Sequence, residues 1–348
     1  MAKVYLLSNL ITLKLKILIV GLGSMGKRRI RNLKKLGYNE IIGFDLRNDR
    51  RNEVSSIYKI PTVKTISEGL GKKPDCMIIS TPPDLHYKYA EIAINNNIHF
   101  FTEVNLFSND VSKIIKKLKQ KNIIGAPSCT LLYNPVVKKL KQLISEKRIG
   151  KPLTVYHHFG HYLPNWHPWE NYQKFYVAKK ETGGAREIIP FELVWLTHLF
   201  SEIKSVYGSI HKVSNLKVDI DDIYEILLEF KNGIQCILVV DVITAPAINE
   251  TKIIGEKGVI VCDHNKELIK IGLNNKWKVL KLKSGKVAKG YKGNTPSESL
   301  YEDEMQIFFR AIQQKKKYPF TFESELNLLK ILDAIELSNK KSKKIHIK

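Results

Sequence analysis

The stretch Ile19-Val20-Gly21-Leu22-Gly23-Ser24-Met25-Gly26 constrains what this chain can fold into more than any other. An apolar, β-branched run at 16–20 leads into a G-x-G-x-x-G turn, and Met25, Ile30, Leu33 and Leu36 leave it at helical spacing. Gly21 permits the tight turn, Gly23 lets the backbone approach a pyrophosphate, and Gly26 allows close packing of helix on strand. The helix N-terminus, with Ser24 and Met25, then faces the anion. The next strand, expected at 40–44, ends in Phe44-Asp45, 19 residues beyond Gly26. A carboxylate there takes the ribose hydroxyls of an adenine dinucleotide and repels a 2′-phosphate. The expected cofactor is therefore NAD, with NADP as the alternative because Arg47, Arg50 and Arg51 lie close by.

Strands and helices keep alternating. Strands are expected at 76–80, 99–102 and 123–126, and helices near 85–95, 110–121 and 134–147, which implies βαβ units and a parallel sheet. The last helix ends at Ile149-Gly150-Lys151-Pro152, a stop of Gly then Pro. Beyond it, strands are expected at 153–158, 205–211, 224–230, 234–243, 250–255, 258–262 and 268–271, mostly without helices between them. Helices are expected again at 297–315 and 323–340, and a final strand at 344–347. The fold class is thus α/β: a Rossmann doubly wound parallel sheet, then a domain with a large, mainly antiparallel open sheet. We divide the 348 residues into an extension at 1–14, a dinucleotide-binding domain at 15–130 and a substrate domain at 131–348.

Charge narrows the partners. Lys and Arg number 57 against 34 acids, a formal +23, yet only nine are Arg, so the excess reads as a lysine-rich background rather than a nucleic-acid surface. Lys27, Arg28, Arg29 and Arg31 crowd the first helix, where some would face a pyrophosphate and the rest solvent. Cys76, Cys129, Cys236 and Cys262 lie far apart with no C-x-x-C pair, which argues against disulfides and zinc and for a reducing, cytoplasmic compartment. Residues 1–14 lack a small-residue cleavage site, and no run of about 18 apolar residues crosses a membrane. Neither nucleic acid, membrane nor bound metal is expected.

Two more segments end strands and so point into the crevice outside a parallel sheet: Ser80-Thr81-Pro82-Pro83-Asp84-Leu85-His86 and Thr102-Glu103-Val104-Asn105. Taken in order with the glycine motif, Ala90-x-x-Ala93, Ile149-Gly150-Lys151-Pro152 and Gly183-Gly184, they resemble the Gfo/Idh/MocA family of glucose–fructose oxidoreductase, inositol dehydrogenase and rhizopine-catabolism proteins. The resemblance implies hydride transfer between NAD(P) and a carbon of a sugar, cyclitol or nucleotide sugar, and a homodimer or homotetramer built on the open sheet. It resembles members encoded with surface-polysaccharide genes in the segment 157–172. Thr81, Pro82, His86 and Glu103 would line the cofactor crevice.

The chain also departs from that family. The usual Lys-Pro after the glutamate is Val104-Asn105. The usual Asp and His after the paired glycines fall at Ile188 and at Phe191 or Glu192. Either substitutes act, with Glu192 as a base whose pKa is raised by Phe191 and Trp195, Lys180 or Arg186 supplying positive charge and His161 assisting, or the chain has become a non-redox, NAD-retaining lyase or hydrolase, or a ligand-binding descendant. The aromatic stretch with Tyr162, Trp166, Trp169, Tyr172 and Tyr176 suits a sugar, whose C–H faces stack on rings.

Overall fold

A computed structural model of the chain describes residues 15–282, Gly285 and 297–347, so the expected N-terminal extension lies outside the described residues. The first half alternates β1 (Ile17–Val20), α1 (Ser24–Lys35), β2 (Ile41–Phe44), α2 (Asn48–Tyr58), β3 (Thr62–Val63), α3 (Ile66–Gly71), β4 (Cys76–Ile79), α4 (His86–Asn95), β5 (His99–Thr102), α5 (Ser108–Leu118), β6 (Gly125–Pro127) and α6 (Pro135–Ser145). The six strands form one parallel sheet in the order β3-β2-β1-β4-β5-β6. Residues of β1, β2 and β4 are buried throughout, as in a sheet covered on both faces. Strand order reverses beside β1, which puts the binding crevice at its carboxyl end.

The second half contains β7 (Pro152–Gly160), α7 (Ile189–Phe200), β8 (Ile203–His211), β9 (Ile223–Phe230), β10 (Gln235–Asp241), β11 (Ile248–Gly255), β12 (Gly258–Asp263), β13 (Leu268–Leu273), β14 (Lys276–Lys281), α8 (Ser299–Gln313), α9 (Phe322–Lys341) and β15 (Ile345–His346). Its strands run β14-β13-β12-β11-β7-β10-β9-β8-β15, antiparallel except for the pair β7 and β10. The helical side of this sheet is apolar and buried: Val155, Val206, Leu228, Leu238 and Ile253 are each at most 1% exposed.

α8 and α9 return to the first sheet. Arg28 and Arg31 of α1 both reach Glu298, Lys35 reaches Glu302, and Phe322 of α9 stacks on Phe100 of β5 with ring centroids 5.7 Å apart. These contacts correct the reading of the α1 cations. Lys27 pairs with Glu53, and Arg29, fully buried, is held between Glu103 and Glu304. All four are ion-paired within the protein, because α2, α8 and the end of β5 bring carboxylates to this helix.

Candidate active site

The glycine turn is built as a cradle. Gly21 has φ +93°, and a side chain there would stand 2.5 Å from the Ser80 carbonyl oxygen; one at Gly26 would strike the Gly21 carbonyl. α1 begins at Gly23 with no side-chain cap and no acid in its first turn, so its amides are open to an anion. Asp45 is 8% exposed and accepts from the Leu22 and Arg47 amides, each at 2.8 Å. Of the three nearby arginines, Arg47 pairs with Asp49 and Arg51 donates to the Asp45 and Leu46 carbonyls. Arg50 lies over Gly23, 3.7 Å from Asp45 and 3.5 Å from Glu170 of the loop after β7.

The other expected cofactor residues divide. The Thr81 hydroxyl, beside Pro82 at the end of β4, is buried with no partner, as a group waiting for a ligand would be. His86 and Glu103 are engaged within the protein. The His86 ring, 1% exposed, has its nitrogens 2.9 Å from the Thr81 carbonyl and 3.1 Å from Asn105 Oδ1. Glu103 takes a two-pronged contact from Arg29 at 2.8 and 2.7 Å and a hydroxyl from Ser80. Both shape the strand ends.

A cavity of about 310 Å³ lies past the ends of β6 and β7. Leu131 and Asn134, just past β6, form one side; Phe159, His161 and Trp166, at and beyond the end of β7, another; Ile188, Phe191, Glu192 and Trp195 of α7 a third; and Asn249 and His264 the floor. His161 stacks on Trp166, and burial lowers its pKa, leaving an uncharged ring at neutral pH. The buried Asn249 Oδ1 has no partner. No Lys or Arg occurs among the described lining residues.

Glu192 departs from expectation. Burial raises its pKa, but the charge and hydrogen bond of His157, with Trp195 and His264 adding, bring the net value below the usual carboxylate range. Trp195 is a donor rather than an apolar wall: its Nε1 lies 2.6 Å from Glu192 Oε2, and His157 Nε2 lies 2.8 Å from the same oxygen. His157 Nδ1 lies 2.9 Å from the Thr251 hydroxyl and 3.1 Å from the Glu250 carbonyl, and that hydroxyl lies 2.8 Å from His264 Nε2. Burial pushes His264 down to about 3.

Thus Glu192, His161 and Trp166 meet at the cavity, whereas Lys180, Tyr162, Trp169 and Arg186 are not among its lining residues. Lys180 is exposed, 3.5 Å from Asp221. Tyr162 is half-buried against the core, and Trp169 is 49% exposed and stacks on His167. Arg186 is bound to Glu336 at 2.6 Å and to the Leu106 and Glu181 carbonyls. Sequence reasoning missed Glu187. Its carboxyl accepts the Tyr176 hydroxyl at 2.7 Å, its Oε2 is buried without a partner, and burial, opposed in part by that bond, pushes its pKa to about 7. A glutamate one position before the expected Asp was the only signal available.

Two family models match the chain. One, described as an oxidoreductase family with an NAD-binding Rossmann fold, covers residues 15–124; the other, the GFO/IDH/MocA C-terminal domain, covers 137–261. The chain belongs to this family. It is an NAD-binding oxidoreductase. Among solved structures it is similar to an oxidoreductase from Agrobacterium radiobacter in complex with NAD+, L-tartaric acid and magnesium, with 14% identity, TM-score 0.83 and coverage of 96% of this chain and 98% of that one. Levoglucosan dehydrogenase in complex with NADH gives 17%, 0.81, 96% and 99%. Myo-inositol 2-dehydrogenase from Lactobacillus plantarum gives 17%, 0.80, 97% and 100%. A comparison with curated proteins finds no match.

Proposed function

We propose that the protein interconverts an alcohol and a carbonyl on an uncharged sugar or cyclitol, with NAD as the redox partner. The observation that carries this is the aromatic, hydroxyl-accepting cavity beside the strand ends. Trp166 and Phe159 offer faces to C–H groups, and Asn249, Glu192 and His161 offer acceptors to hydroxyls. A nucleotide sugar would bring a diphosphate, which Lys or Arg usually receives, and the described lining has neither. The structural neighbours named for levoglucosan and myo-inositol support the same substrate class.

NAD, when bound, supplies the hydride acceptor. The protein's share is to hold it: Gly21, Gly23 and Gly26 admit the pyrophosphate to the start of α1, Asp45 faces the ribose end, and Thr81 and Pro82 border the crevice at β4. Residues 15–130 are the unit that does this, and 131–348 the unit that binds substrate. The exposed face of the second sheet meets a second copy of the chain, in a dimer or tetramer.

Titrating NADH fluorescence with the purified protein tests the cofactor site. Following absorbance near 340 nm with NAD+ and a panel of neutral sugars and cyclitols, beside nucleotide sugars, tests the substrate class. Turnover of nucleotide sugars alone would sink the uncharged-substrate reading. Val104, buried where the family carries its lysine, favours one other reading, an NAD-retaining lyase or hydrolase. Product formed with no net change in NADH would select it.

A further inference from the structure

When a carbon gives up hydride, the proton of its hydroxyl needs an acceptor, and neither Val104 nor Phe191 can serve. Glu192, hydrogen-bonded by His157 and Trp195, is a weak base. Glu187 is not itself among the cavity's lining residues. It ends the short turn Gly184–Glu187, one residue before Ile188 of the cavity wall. Arg186 beside it donates to the Leu106 carbonyl past β5 at 3.3 Å, and Lys179 reaches Asp84 past β4 at 2.9 Å. The segment from Tyr176 to Glu187 therefore crosses the carboxyl ends of β4 and β5, the half of the sheet that receives the nicotinamide end of a dinucleotide. There the Tyr176 hydroxyl donates to Glu187 Oε1, and Glu187 Oε2 stays buried and unpaired. An unpaired buried oxygen is a cost to the fold, so the arrangement is not explained by stability.

We infer that Glu187 is the proton acceptor of this site, with Tyr176 as the residue that positions it. The inference rests on the NAD-linked reading above. In the oxidising direction the substrate O–H bond breaks and its proton goes to Glu187 Oε2; the C–H bond breaks and its electron pair leaves with the hydrogen to NAD+; the carbonyl forms between the two atoms. Reduction runs the same bonds backward. A carboxyl titrating near neutrality suits both directions, and burial lifts Glu187 to about 7. The charges around the pair leave it without a cation. Glu103 and Glu170 act on Tyr176, whose pKa burial and Glu187 push well above its usual value. Arg186 is paired with Glu336 of α9, Lys180 with Asp221 before β9, and Glu192 of α7 with His157.

A cationic ring near a carboxyl lowers its pKa, and the reduced, uncharged ring does not. NAD+ binding at pH 7 should then expel up to about half a proton from Glu187, and NADH binding almost none. Calorimetric titration of the whole protein with each dinucleotide, in two buffers of different ionisation heat, reads this without turnover. The expected result is release with NAD+ only, abolished in Glu187→Gln. Tyr176→Phe removes the hydrogen bond that lowers Glu187, so the release should persist with its maximum moved to higher pH. Equal release by wild type and Glu187→Gln overturns the inference, as does release unmoved by Tyr176→Phe, which decides alone if the glutamine variant does not fold. If wild type binds neither dinucleotide, the cofactor reading fails instead.

Discussion

Asp45 has both carboxylate oxygens engaged, one by the Leu22 amide inside the glycine turn and one by the Arg47 amide at the entry to α2. It therefore holds the turn in shape while presenting negative charge where a 2′-phosphate would arrive. Asp45→Ala should destabilise the protein by about 1–3 kcal/mol, since the buried Leu22 amide and the half-buried Arg47 amide lose their acceptor. It should also weaken NADH binding at least tenfold while leaving NADPH binding unchanged or improved. Fluorescence titration with both dinucleotides measures this; unaltered NADH affinity would confine Asp45 to a structural part. At this scale the sequence displayed the glycines and Asp45 because their chemistry is local. It did not display Glu192 as a hydrogen-bonded carboxylate, because His157 is 35 residues away in the chain and meets it only through the packing of β7 on α7. Nor did it display the partners of Arg28 and Arg29, which lie on α8 and β5.

Among the elements, α9 links the two sheets most directly. It packs on β8 of the second sheet, where the Ser338 hydroxyl accepts from the Gly208 amide, and from its first turns Glu325 accepts from the backbone and side-chain nitrogens of Asn105 at 3.0 and 2.8 Å. Burial pushes Glu325 to about 8, the Asn105 bonds opposing it. The sign follows. Unfolded, a glutamate ionises near 4.3, so between that value and about 8 the folded chain holds a proton the unfolded chain has lost, and Glu325 costs stability as pH rises through this window. Glu325→Gln, which cannot ionise, should gain stability relative to wild type from pH 5 to pH 9, with a difference in Tm on the order of 5 °C at the alkaline end. Thermal melts across that range check it; a constant difference would refute the assignment. Most such elements were legible because their apolar faces repeat at helical or strand spacing, α9 and β5 among them. α2 escaped because Asn48–Tyr58 buries only Val54, and β14 because Lys276–Lys281 buries none of its residues.

For the molecule as a whole, the second sheet leaves one broad face uncovered, and its register aligns a single row across it. Tyr207 pairs with Leu227, Leu227 with Ile237, Ile237 with Tyr156, Tyr156 with Lys252, Lys252 with Val261, Val261 with Lys270, and Lys270 with Val279. Leu227 is 52% exposed and Val279 56%, with Tyr207, Ile237 and Tyr156 each at 39%. The row's first four positions, Tyr207, Leu227, Ile237 and Tyr156, form a continuous apolar run, which is uncommon on a monomer. Nine strands at about 4.8 Å spacing and about 23 Å of strand length present close to 900 Å², above the roughly 800 Å² per partner of a stable interface. A two-fold axis through the face would set the same patch against itself, with Lys252 and Lys270 keeping one end of the row polar. Leu227→Arg combined with Ile237→Arg places two charges at the centre of that contact, where none can be desolvated cheaply, yet both positions point away from the buried core, so the fold should survive. Light scattering should give a multiple of 40.0 kDa for wild type and 40.0 kDa for the double variant, with unchanged circular dichroism. A wild-type monomer, or a variant that keeps the wild-type mass, would rule this face out as the site of self-association.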